Sequence, residues 1–151
     1  MPSNDFKATI HKGGFFPQGA ESGAYIILQT SSDLENYIEK LMTKFRHDTA
    51  QVPKGYWDDF EKQVRAFYSQ YNDDFFTSRT LVIALIDQGS GSVRYTLKDF
   101  EIKDGRLDIR INRDSPFIQT MDFVSWVLHL ELCKSAGDFE SVRVELINIG
   151  T

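Results

Sequence analysis

The sequence predicts an α+β domain in which two consecutive helices pack on an antiparallel β-sheet, or on a small open barrel, of five to six strands. Apolar residues recur at spacings of three and four between Ser32 and Tyr71, and at every second position from Val93 onward. The later segments are joined by turns too short for a helical crossover, so consecutive strands are expected to pair antiparallel. One domain, residues 1–151, accounts for the chain.

Taken in order, Phe6, Ala8 and Ile10 alternate weakly and read as a short edge strand, joined through GGFFPQGAESG to a buried strand over Ala24 to Gln29. Leu34, Tyr37, Ile38, Leu41, Met42 and Phe45 then mark one face of an amphipathic helix. Ser32 and Glu35 form a capping box at its start, and it is expected to end near Arg46 to His47, before QVPKG. The second helix carries Trp57, Phe60, Val64, Phe67, Tyr68 and Tyr71 on its apolar side. Asp58, Asp59 and Glu61 are placed in its first turn, where the helix dipole favours acids.

Thr80 to Ile86 is apolar on both faces, as a central strand is. Val93, Tyr95 and Leu97 share one parity while Phe100 and Ile102 share the other, so a β-bulge is expected near Lys98 or Asp99. Asp104-Gly105 is a two-residue hairpin signal, and Leu107, Ile109 and Ile111 continue the core face beyond it. From Phe123 to Cys133, Val124, Trp126, Leu128, Leu130 and Leu132 alternate inward against Ser125, His129, Glu131 and Cys133 outward, with Val127 the exception. Trp126 falls at the centre of that face, and Val142, Val144 and Leu146 repeat the pattern after a turn around Ala136-Gly137-Asp138.

Aliphatic and aromatic residues make up 41% of the chain and charged residues 26%, a globular composition. Seventeen basic residues against 22 acidic ones leave a charge of -5, and the Lys and Arg are scattered, which argues against nucleic acid or an anionic membrane as the main partner. The single Cys133 excludes an internal disulfide and a Cys-Cys zinc clamp. No apolar run reaches the roughly 18 residues of a membrane span, so the chain is not expected to cross a membrane by a helix. MPSNDFKATIHKGG has no signal-peptide h-region, and the chain as given reads as soluble.

The loop Gly89-Ser90-Gly91-Ser92 invites comparison with phosphate cradles. Those need a helix directly after the glycines, whereas here a strand, SVRYTL, follows. The loop is therefore either a flexible hairpin connection or a recognition loop. In the second case Gly89, Ser90, Gly91, Ser92, Arg94 and Tyr95 are the partner-binding candidates, Arg and Tyr being frequent binding hot spots.

His11, His47 and His129 fall on an edge segment, a helix end and a strand, and only His129 with Glu131 has ligand spacing; that pair reads as a solvent-facing strand face. Cys133 and His129, four apart on a strand, lie roughly 13 Å from each other, too far to share a proton. The doublet Asp58-Asp59 is read at a helix start and Asp73-Asp74 at a helix-to-strand junction. No catalytic set, metal site or cofactor is predicted.

The segments SSDLENY, YNDDFFTSRTLVIALID, GSGSVRYTLKDFEIKDGRLDIRI and SPFIQTMDFVSWVLHLEL, spanning about Tyr25 to Leu146, resemble the C-terminal domain family named after PrcB, a protease-complex subunit, and its bacterial relatives. That resemblance implies an α+β or mostly β extracytoplasmic domain, often tethered as a lipoprotein, that works by binding rather than by catalysis. It implies no catalytic residues. The expected function is thus a non-enzymatic protein-binding module whose partner is a protease or cell-envelope complex. The alternative is a small-ligand-binding domain or an enzyme with an unrecognised site.

Overall fold

A run that is apolar at every position has to be covered on both faces, and the strand from Arg79 to Gly89 is placed accordingly, at the middle of three layers. The computed structural model describes residues 6–13, 15–16, 20–49, 51–121 and 124–149. In chain order these form β1 (Phe6–Lys12), β2 (Tyr25–Leu28), α1 (Ser31–Asp48), α2 (Lys54–Tyr68), α3 (Asp73–Ser78), β3 (Arg79–Gly89), β4 (Arg94–Lys103), β5 (Arg106–Asp114), β6 (Val124–Cys133) and β7 (Ser141–Ile149). The α+β class is as expected, with the strands divided between a four-stranded sheet, β1-β6-β3-β2, and a three-stranded sheet, β4-β5-β7. Phe123 and part of GGFFPQGAESG lie outside the described residues.

The four-stranded sheet separates two cores. On one side Leu81, Ile83 and Leu85 of β3 and Val127 of β6 meet Tyr37, Ile38, Leu41 and Met42 of α1 and Val64 and Tyr68 of α2. On the other, Val82, Ala84 and Ile86 of β3 and Leu128, Leu130 and Leu132 of β6 meet Leu107, Ile109 and Ile111 of β5. The period of two in β3 and β6 thus serves both cores at once. Across the helical layer, Arg65 of α2 joins both Glu35 carboxylate oxygens of α1 at 3.1 Å, Glu39 at 3.1 Å and Glu61 at 2.8 Å.

Several expectations hold at residue level. β4 and β5 pair antiparallel with a register shift between Leu97 and Asp99, where the change of parity requires it. Their turn places Asp104 at φ 55° and Gly105 at φ 76°, the two positive φ values of a type I′ hairpin. β1 lies at the edge of its sheet, against β6.

Others are corrected. α1 begins earlier than the Ser32–Glu35 box: Thr30 is its N-cap, accepting from the Asp33 amide at 3.0 Å, while the Asp33 carboxylate accepts from the Gln29 amide at 2.9 Å. α2 starts at Lys54 behind Pro53, so Asp58, Asp59 and Glu61 lie beyond its first turn. Asp73 and Asp74 do occupy a first turn, but of α3, a third helix capped by Asn72, whose side chain accepts from the Phe75 amide at 3.0 Å.

The strand connections also differ from the antiparallel meander. Of the strands after the helices, only β4 and β5 pair with their sequence neighbour. The short connections from β3 to β4, β5 to β6 and β6 to β7 pass from one sheet to the other, and β7 consequently runs parallel to β5. A short turn brings two strands close, but stacked sheets satisfy that closeness as well as a shared ladder does.

Candidate functional site

At one end of the sandwich converge the end of β3, the connection Ser90 to Val93, the start of β4, the end of β5 and the start of β6. The pairings Gly89 with Val124, Arg94 with Asp114, Tyr95 with Arg113, and Asp87 and Lys12 with Trp126 fix this convergence. A second bulge, between Leu85 and Asp87, turns Asp87 toward the inter-sheet side. Its carboxylate there accepts from the Tyr95 hydroxyl and, at 3.0 Å, from Nε of Arg113. Arg113 also donates to Ser115 Oγ at 2.7 Å. Burial, with the Asp87 hydrogen bond second, pushes the Tyr95 hydroxyl up to about 12, so it stays a donor. The Tyr95 ring packs on Trp126 at 4.9 Å, and Lys12 Nζ lies 5.7 Å from the Trp126 ring centre.

Ser90 and Ser92 form a clasp. Ser90 Oγ is 2.7 Å from Ser92 Oγ and 2.8 Å from Thr120 Oγ1, and the Thr120 amide donates to Ser92 Oγ at 3.1 Å. The connection is therefore not a free hairpin tip: Ser90 is only 8% exposed and Val93 is buried beneath it. Of the six sequence candidates, Gly89, Gly91 and Ser92 are half-buried, Ser90 and Tyr95 are buried, and Arg94 alone is exposed.

What the clasp holds is the β5–β6 connection. There Phe117 is 94% exposed, Ile118 82% and Met121 99%, three large apolar side chains on the two sides of anchored Thr120. The sequence candidates did not include these residues. Their trace in the sequence is Pro-Phe-Ile and Met, at offsets of three and four as on a helix face but in a stretch too short for a helix of its own between two strands.

A second cluster lies between α2 and the four-stranded sheet. His129 and Glu131, expected on a solvent-facing strand face, instead point under the helices: His129 is 2% exposed and bonded to Tyr68, and Glu131 accepts from the Tyr71 hydroxyl at 3.1 Å. Burial, then the charge of neighbouring His11, lowers His129 to about 3, so the imidazole is neutral at physiological pH. Burial raises the Tyr37 and Tyr68 hydroxyls above their ordinary value, and Tyr37 donates to the Phe15 carbonyl at 2.7 Å. These groups are walled by Phe15, Phe67 and Tyr71, and they knit the helical layer to the sheet. Among the described residues no three His, Cys, Asp or Glu side chains are grouped to hold a metal ion.

Comparison of the chain with protein-family models, with curated proteins and with solved structures found no match.

Proposed function

We propose that the chain is a non-enzymatic protein-binding module that docks its partner through Phe117, Ile118 and Met121, with Arg94 at the rim. One observation carries this reading: three large apolar side chains stand in water on a segment that hydrogen bonds hold in place. Exposed apolar clusters with a polar surround mark interaction sites, and a held loop loses less entropy on docking than a free one. A net charge of -5 favours a protein over an anionic lipid surface, and no helix among the described residues is long and apolar enough to cross a membrane. The resemblance to the PrcB family points to a protease or cell-envelope complex as the partner.

The test is capture of cellular partners by the wild type and by a Phe117→Ser/Ile118→Ser/Met121→Ser variant, with a photo-cross-linker at Gln119 to identify what is bound. Side chains already in water leave stability within roughly 0.5 kcal/mol, so both proteins should melt alike. Capture should fall by at least about tenfold, as for lost anchors. Equal capture by the two would reject the site, and flotation of the wild type with lipid vesicles, lost in the variant, would reassign it to membranes.

A further inference from the structure

Sheet edges differ in how they are protected. β2 is only four residues long, β4 is broken by its bulge and carries Lys98 there, and β1 bears Lys7 and Lys12 near its two ends. Short length, bulges and lysines are devices that keep a free edge from pairing with another chain. β7 lacks all three: Ser141 to Ile149 runs in unbroken register along β5, without Pro, Gly or Lys, and its other side has no strand against it among the described residues.

The side chains of β7 are also complementary to themselves. Arg143 and Glu145 are exposed on the outer face of the sheet, flanking Val144, while Val142, Val144 and Leu146 pack inward. In an antiparallel pair of identical strands related by a two-fold axis, centring on Val144 sets Arg143 against Glu145 of the second strand and Glu145 against its Arg143. Val142 then lies opposite Leu146, and Ser141 opposite Ile147. Centring on Arg143 would oppose two arginines, and centring on Glu145 two glutamates. Opposed like charges across strands are destabilising, and intermediate registers would place outward side chains against inward ones.

From this we infer that a second copy of the chain binds at β7, antiparallel and centred on Val144, joining two three-stranded sheets into one. The interface is isologous, as two-fold symmetry requires, and it is independent of the exposed β5–β6 connection.

Sedimentation of the intact chain over a concentration series reads this directly. The wild type should pass from 17.4 kDa to twice that mass with rising concentration. Arg143→Glu and Glu145→Arg, each alone, place two like-charged pairs across the strands and should weaken association by at least about tenfold. The double variant R143E/E145R restores opposite charges and should return to within about threefold of the wild type. Within the chain Arg143 faces Asp108 and Glu145 faces Arg110 across β5 and β7, so the variants also lose some stability. A melting curve of each, taken where the wild type is monomeric, establishes that it is folded before association is compared. A wild type that stays monomeric at about 1 mM overturns the inference. So do single variants that dimerise like the wild type, or a double variant that fails to recover.

Discussion

The Tyr68 hydroxyl lies 2.9 Å from Nε2 of His129, so the one histidine of β6 is hydrogen-bonded to the last residue of α2 across the helix–sheet seam. His129 Nδ1 has no hydrogen-bond partner among the described residues. A neutral imidazole tolerates that burial far better than a charged one.

The first prediction follows from its titration. His129 titrates near 6.5 when unfolded and near 3 in the fold, so below pH 6.5 the unfolded chain binds the extra proton. Stability present at neutral pH is therefore lost as pH falls from 6.5 toward 3, by up to about 1.4 kcal/mol per pH unit. Burial lowers His11 as well, which adds in the same direction. His129→Gln keeps a hydrogen-bonding partner for Tyr68 and removes the titration. Urea midpoints taken from about pH 7.5 to about pH 4.5 should fall more steeply for the wild type than for the variant. Parallel slopes would show that His129 is accessible to protons in the fold.

Trp126 provides the second. It is 9% exposed, packed on Tyr95, and its Nε1 is buried without a hydrogen-bond partner among the described residues. Trp126→Ala should cost about 3–5 kcal/mol, the loss expected for a buried large aromatic. Trp126→Phe keeps most of the ring and removes the unpartnered donor, so its cost should be smaller, about 1–2 kcal/mol. Chemical denaturation of the two variants checks the order; equal costs would mean that the indole nitrogen is bonded in solution.

How much of this was legible in the sequence depends on the range of the physics involved. The bulge at Leu97 to Asp99 and the Asp104-Gly105 hairpin are local, set by parity and by backbone conformations that few residues adopt, and both were readable. What covers the second face of β6 is not local. The alternation of Trp126, Leu128 and Leu130 identified one core, but only Val127 hinted that the other face meets helices, and a histidine there reads as solvated until Tyr68 is seen against it. Partner choice among strands was equally out of reach: the connection Ser90 to Val93 is short enough for a hairpin yet crosses between sheets. The sequence candidates were confined to Gly89 to Tyr95, whereas Asp87, Arg113 and Thr120 join that end of the fold through contacts spanning 8 to 30 residues.

The last prediction concerns that clasp. Ser92 Oγ accepts the Thr120 amide at 3.1 Å and lies 2.7 Å from Ser90 Oγ, so it ties the β3–β4 connection to the segment bearing Phe117, Ile118 and Met121. Ser92→Ala removes both contacts and leaves every exposed apolar side chain in place. Because the Thr120 amide can turn to water, the cost in global stability should be modest, about 1 kcal/mol or less. The local effect should be larger: amide exchange and proteolytic cleavage between Pro116 and Met121 should accelerate, since these track local opening rather than global unfolding. If the segment docks a protein, losing this restraint means that it must be ordered on binding, and capture should fall although no docking side chain has changed. Ser92→Thr retains the hydroxyl and should behave like the wild type in both measurements. Faster exchange with unchanged capture would show that the partner does not need the segment held, and unchanged exchange would show that the Ser92 contacts do not hold it, leaving the Ser90–Thr120 contact as the tie.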